Sequence, residues 1–120
     1  MKTLLYSLAL LALSTTAHAK ELLPSGATGN DYYAACKTTA QDSPYIDGVC
    51  DGYLSGVVDT LNIRMKTPVF CVPDGVTNGQ TKAIFEKYLK EHPEKRDAPI
   101  IALLAFALHD AWPSHGGKCN

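Results

Sequence analysis

Four cysteines, four histidines and a helix-spaced row of aspartates are the residues of this 120-residue chain with chemistry to offer. A cysteine nucleophile needs a thiolate with a base beside it, and Cys50 with His109 is the pair that would supply them. A serine hydrolase set can be assembled from Ser55 or Ser114, His109 or His115, and Asp110. Neither serine sits in the glycine elbow that presents such a nucleophile. His109, His115 and Cys119 gather near the C-terminus with donor types suited to zinc or copper, provided Cys119 is a free thiolate. Asp47 and Asp51 lie one helical turn apart, a spacing open to paired acid/base carboxylates. Continued by Ser55 and Asp59 at the same step, they read instead as a solvated helix face.

The cysteines bear on all of these readings. Cys36, Cys50, Cys71 and Cys119 follow a stretch with the layout of a secretory leader: Lys2, an apolar run from Leu4 to Leu13, and Ala17-His18-Ala19 as cleavage signal. The run is too short to cross a bilayer. Residues 1–19 are therefore expected to be removed after Ala19, leaving an exported, periplasmic protein. In an oxidising compartment four cysteines form two disulfides, for which three connectivities exist. Hairpin geometry favours Cys36–Cys50, which stand equally far on either side of the Asp42-Ser43-Pro44 turn, together with Cys71–Cys119. Thiols so paired serve neither catalysis nor a metal, and no cofactor is expected.

Without Lys2, ten basic side chains face twelve acidic ones, with no basic stripe. That balance argues against nucleic acid and anionic membrane as partners. The mature length suits one domain, small enough for covalent staples to matter. Residues 20–29, which bear a proline and two glycines and show no period, read as a loosely held arm, and 30–120 as the helical domain.

Asn30 or Asp31 is expected to cap a first helix carrying Tyr32, Tyr33, Cys36 and Ala40. Ser43 caps a second, with Pro44 at its first position, running to Asn62. Ile46, Val49, Cys50, Tyr53, Leu54, Val57 and Leu61 share its apolar arc, and Gly48, Gly52 and Gly56 border the polar one. Each glycine costs the helix ~1 kcal/mol relative to alanine, so a close neighbouring helix of the same chain is expected along them, a homodimer seam being the alternative. Arg64 to Gly75 reads as an extended connector tethered by Cys71, with Val69, Phe70 and Val72 tucked inward. Thr77 and Gln80 form a capping box for a third helix to Glu91. Ala83, Ile84, Phe85, Tyr88 and Leu89 are expected to point inward, and Lys82, Glu86, Lys87 and Lys90 outward. After Pro93 and a charged turn, Asp97 is expected to cap a last helix ending near Trp112-Pro113. Its stretch Pro99 to Leu108 is apolar on every face and should form the buried centre. The fold class is all-α, a compact bundle of four main helices with two disulfides.

Several of these signals, in this order, resemble one family. Cys50-Asp51-Gly52-Tyr53-Leu54-Ser55-Gly56 matches its C-x-G-Y-x-x-G helix, Phe70-Cys71-Val72-Pro73 its F-C-x-P connector, and Gly75 to Gln80 its G-V-T-x-x-Q helix start. Tyr88 to Glu94 follows as Y-L-x-x-H-P-E, and Trp112-Pro113 closes an apolar helix. From Tyr33 onward the chain resembles the Rap/Tai family of type VI secretion immunity proteins. That family often carries a cysteine directly after the aromatic–proline pair, where this chain has Ser114, leaving Cys119 as the replacement.

The resemblance implies an exported, non-catalytic helical protein that occludes the cleft of a peptidoglycan-cutting amidase toxin, often as a homodimer. A rigid convex loop is the natural plug. The candidates are Arg64 to Thr67 and Glu91 to Asp97, the second pinned by Pro93 and carrying Glu91, Glu94, Lys95, Arg96 and Asp97. Two other classes remain beside it: a periplasmic chaperone-like binding protein, and a small metal-handling protein.

Overall fold

The computed structural model describes residues 22–36 and 42–119; the expected leader lies outside them. Reciprocal capping starts the first helix, α1 (Gly29–Ala35): the Thr28 hydroxyl accepts from the Asp31 backbone N–H, and the Asp31 carboxylate accepts from the Thr28 N–H. The cap thus lies ahead of Asn30 and Asp31, because Asp31 serves as the third helical residue of the box rather than as the cap. Helix α2 (Pro44–Arg64) begins as expected, with the Ser43 hydroxyl accepting from the Ile46 N–H and proline at its start. Helix α3 (Asn78–Glu91) has the Thr77–Gln80 box. A 3-10 turn (Pro93–Lys95) leads to α4 (Ile100–Ala111). Among the described residues there are four α-helices and no strand.

Asp97 does not cap α4. Pro99 occupies the cap position and makes no side-chain hydrogen bond; instead the Ala27 carbonyl accepts from the Ile100 N–H at 2.9 Å. The partner comes from the segment expected to be a loose arm. From residue 22 onward that segment is packed: Leu23 and Ala27 are buried, and Thr28 bridges Pro99. Gly26, in the left-handed region at φ 74°, turns the chain to bring this about.

The core joins all four helices. It gathers Tyr32 of α1, Cys50 and Leu54 of α2, Phe85, Tyr88 and Leu89 of α3, and Ile100, Leu103, Leu104, Ala107 and Leu108 of α4. Tyr32 meets Phe85 edge-on, with ring centroids 5.0 Å apart. Phe70 is buried and Val69 and Val72 half-buried against the bundle, as the connector reading required. Helix α4 is central on one side only. On either flank of the buried arc Ile101 is 45 % and Phe106 58 % exposed, so an all-apolar sequence has not meant an all-buried helix.

Both expected disulfides form, Cys36–Cys50 between α1 and α2 and Cys71–Cys119 between connector and C-terminus. Cys119 reaches Cys71 because His115 to Lys118 make a turn with Gly116 and Gly117 both at positive φ. That turn delivers the sulfur five residues beyond Ser114, the position at which the resemblance placed a cysteine. The Cys71 N–H also bonds to the Trp112 carbonyl at 2.9 Å, so backbone and sulfur together hold the connector to the end of α4.

Candidate functional site

The turn between α3 and α4 is short, charged and held from beneath. Pro93 starts it, and the Lys95 and Arg96 backbone N–H groups close it on the His92 and Pro93 carbonyls. The Arg96 carbonyl accepts from the Asn30 N–H at 2.8 Å, and the Ala98 carbonyl from the Gly29 N–H at 3.0 Å, so the start of α1 is bonded to the turn. Gly29 fits there because it lacks a side chain: a Cβ would lie 3.1 Å from Arg96 Cα and closer still to two leucine methyls.

The five residues expected to face a partner divide into two kinds. Arg96 is turned inward, its Nε donating to the Leu89 carbonyl at 2.6 Å and its guanidinium lying 3.8 Å over the Tyr33 ring. It braces the turn from within. Glu91, Glu94, Lys95 and Asp97 are exposed. A hydrogen bond from its own backbone N–H, then His92 at 3.3 Å, holds the Glu94 carboxyl below the usual carboxylate value. Lys95 leans on Tyr88, its Nζ 3.4 Å from the phenol oxygen. Beside the turn, Glu94, Asp97 and Asp110 rim a groove of about 440 Å³ whose lining includes Tyr88, Leu103 and Phe106. Phe106 was folded into the core by the reading of α4, yet its position on the helix separates it from the arc of Ile100, Leu103, Leu104, Ala107 and Leu108. That offset is the signal that marked it.

Asp59 is exposed as expected of a solvated face, but Asp47 and Asp51 are partly buried. Lys82, expected to point outward from α3, pairs with Asp47 and lies 3.6 Å from Asp51, with only 12 % of its side chain exposed. Burial works to lower its pKa, but the hydrogen bond to Asp47 and the nearby carboxylates outweigh it and hold the ammonium above its ordinary value. Glu86, also expected to point outward, is half-buried beside them, and desolvation raises its carboxyl. Burial first, and then the Glu86, Asp51 and Asp47 charges, pushes the Tyr32 phenol up. The cluster ties α2 to α3 and is structural. The lysine was misplaced because its spacing on α3 puts it at the edge of the apolar arc, where only the partner helix decides which way it turns.

The remaining candidates disperse. The sulfurs of Cys50 and Cys119 are committed to disulfides, so neither thiol catalysis nor the His109–His115–Cys119 metal set has its thiolate. Ser55 donates to the Asp51 carbonyl at 2.9 Å within its own helix. His109 is exposed and 3.7 Å from Asp110. Gly48, Gly52 and Gly56 are exposed, and a Cβ on any of them would meet nothing within 4 Å. Among the described residues no close intrachain neighbour lies along them: α3 and α4 pack on the other side of α2, with Cys50 and Leu54 in the shared core. Tyr45 (77 % exposed) and Ile63 (82 %) stand at the two ends of this bare face. Ala83 likewise is exposed rather than inward.

The described residues thus form a helical bundle with two disulfides that carries a pinned, charged turn. The model of the Rap1a immunity proteins matches residues 28–114, and the chain belongs to that family. It is therefore a toxin-neutralising immunity protein, of a class that binds a cognate toxin and is in general non-catalytic. The match begins at Thr28, the α1 cap, a few residues ahead of the Tyr33 from which the resemblance was legible. No curated protein and no solved structure matches the chain.

Proposed function

We propose that this protein acts in the periplasm, after removal of residues 1–19, as the immunity partner of a type VI secretion toxin that cuts peptidoglycan as an amidase. It neutralises the toxin by inserting the Pro93–Asp97 turn into the active cleft and has no catalytic activity of its own. The observation that carries this reading is the anchoring of the turn by Arg96, Asn30 and Gly29. A plug that is already rigid loses little conformational entropy on docking, and more of its contact energy becomes affinity. The two disulfides suit an exported chain, and no helix among the described residues is long and apolar enough to cross a membrane.

We infer also that the protein works as a homodimer through the bare face of α2. Tyr45 and Ile63 are equally distant along the helix from Leu54, as are Gly52 and Gly56. A two-fold axis through the middle of that face sets Tyr45 of one copy against Ile63 of the other, with the glycines allowing close approach.

An amidase gene is expected beside the one for this chain. Calorimetric titration of the oxidised protein against that amidase, with cell-wall cleavage followed in parallel, tests the reading. Nanomolar binding with loss of cleavage, both weakened by Glu94→Lys with Asp97→Lys, is expected. No heat and undiminished cleavage would overturn it. Sedimentation of the wild type and of Ile63→Asp tests the dimer, which should dissociate in the variant.

A further inference from the structure

We propose that the groove between the Pro93–Asp97 turn and α4 is a receptor for one protruding basic side chain of the toxin, an arginine for preference. Its aliphatic stem lies over Phe106, and its charge is taken by Glu94, Asp97 and Asp110. This rests on the toxin-binding reading and adds to it the chemistry of the partner.

Two features of the groove point the same way. The first is its apolar lining. Phe106 is 58 % exposed, whereas Ile100, Leu103, Leu104 and Leu108 of the same helix are at most 1 % exposed. It stands on the groove with Leu103 and Tyr88, and at about 440 Å³ the space is more than one side chain needs. The second is the charge of its rim. Three carboxylates border the groove against a single cation, Lys95. That cation is drawn to Tyr88, 3.4 Å from the phenol oxygen and 5.5 Å from the ring centroid. The Glu94 carboxyl, held below its usual value, stays ionised through the neutral range.

Charge then selects the occupant. A second copy of this chain, related by a two-fold axis here, would set the same carboxylates against one another. A purely apolar segment would strip water from three carboxylates, of which Glu94 has a histidine, His92, at 3.3 Å and Asp110 has His109 at 3.7 Å, and would add no cation for any of them, which is unfavourable. A basic side chain with an apolar stem satisfies lining and rim together. Arginine does so best, because its planar guanidinium stacks on an aromatic face and takes a carboxylate through two parallel hydrogen bonds.

The test has two arms. In the first, the oxidised wild-type chain, Phe106→Ala, Asp97→Asn/Asp110→Asn and a control, Asp74→Asn in the connector, are titrated against the neighbouring amidase at two salt concentrations. Phe106→Ala should weaken binding about 30-fold, the size of an aromatic hot spot. The double asparagine variant should weaken it about 10-fold and lose much of its salt dependence, while the control stays within about twofold. In the second arm the chain alone is titrated by NMR with N-acetyl-arginine amide and, as uncharged comparator, N-acetyl-norleucine amide. The arginine amide should shift the Phe106 ring resonances, and the double variant should abolish the shift. Wild type and variants binding the amidase alike would overturn the groove and leave the proposed function standing. A wild-type chain that does not bind the amidase overturns the proposed function instead. The NMR arm then still judges the groove, which falls if arginine amide shifts Phe106 no more than norleucine amide does.

Discussion

Replacing glycine by alanine should have opposite effects at two places in this fold. At Gly29, the first residue of α1, a Cβ would lie 2.6 Å from Leu103 Cδ1, 3.0 Å from Leu89 Cδ2 and 3.1 Å from Arg96 Cα. The two leucines are each 1 % exposed and cannot swing aside, and Arg96 Cα is backbone. Relief requires α1 to move away from the turn and α4, an overpacking penalty of about 1–3 kcal/mol. Alanine's helix preference returns less than ~1 kcal/mol, and little of it at a first helical position. A net loss of about 1–2 kcal/mol follows, or roughly 5–15 °C in Tm for a domain of this size. At Gly52, in the middle of α2, nothing lies within 4 Å of the new methyl and φ is not positive. There alanine should add about 0.5–1 kcal/mol by restricting the unfolded chain. The assay is urea and thermal unfolding of the oxidised proteins by circular dichroism, at a concentration where sedimentation shows monomer. The last condition matters because a methyl on the proposed dimer face would also weaken the dimer. Gly29→Ala at or above wild-type stability, or Gly52→Ala below it, would refute the packing described for α1 and α2.

Three further outcomes follow from the same geometry. Lys82→Met should destabilise the fold by about 1–3 kcal/mol, since Asp47 and Asp51 would be left partly buried without their cation; a double-mutant cycle with Asp47→Asn should recover part of that loss. Replacing Cys71 and Cys119 by serine should cost ~4 kcal/mol on the loop-entropy model for a closure spanning 48 residues. Because Cys119 is exposed while Cys36 and Cys50 are buried, mild dithiothreitol with alkylation and mass spectrometry should show the terminal bridge opening first. Glu86 governs part of the pH dependence: its carboxyl is raised in the fold by desolvation, so the native state holds the proton more tightly than the unfolded chain. Its favourable contribution is complete below the ordinary value of 4.5 and is lost as pH rises through the raised one. Glu86→Gln should therefore flatten the rise in stability as pH falls from neutral to the ordinary value of 4.5, as read by urea midpoints; an unchanged rise would show that Glu86 is not the responsible group.

Helices, caps and disulfides were legible in the sequence wherever the signal was local. Ser43 with Pro44 and Thr77 with Gln80 satisfy backbone N–H groups three residues away, and a cysteine pair flanking a tight turn has few other partners. What was misread depends on neighbours distant in the chain. Lys82 faces inward because α2 carries two aspartates opposite it, 35 and 31 residues earlier in the sequence. Asp97 leaves the cap of α4 unfilled because the Ala27 carbonyl, far upstream, has taken the Ile100 N–H. The glycines of α2 were assigned a neighbour by the general cost of glycine in helices, and no periodicity records whether that neighbour belongs to the same chain. Within the candidate site, the charges of the turn and the offset of Phe106 from the buried arc of α4 were visible, but the inward Arg96 was not, since it is settled by where Leu89 of α3 and Tyr33 of α1 stand.

The division between Arg96 and its neighbours bears on how such a turn can serve recognition. Residues that hold it, Gly29, Asn30 and Arg96, lie beneath it or bond through their backbone, while Glu94 and Asp97 are exposed and Lys95 leans on Tyr88. Changes at the outer positions therefore alter contact chemistry without disturbing the support, and changes at the inner ones disturb support without altering charge at the tip. If the turn is a plug, the two sets should separate kinetically. Charge changes at Glu94 or Asp97 act on electrostatic steering and hence on the association rate and its salt dependence. Arg96→Ala leaves the tip residues in place but frees them to move, so its effect should fall on the dissociation rate, with association nearly unchanged. Equal effects of both kinds of change on association would mean that Arg96 is felt by the toxin as a charge, and that the inward position seen here is not the one it holds on binding.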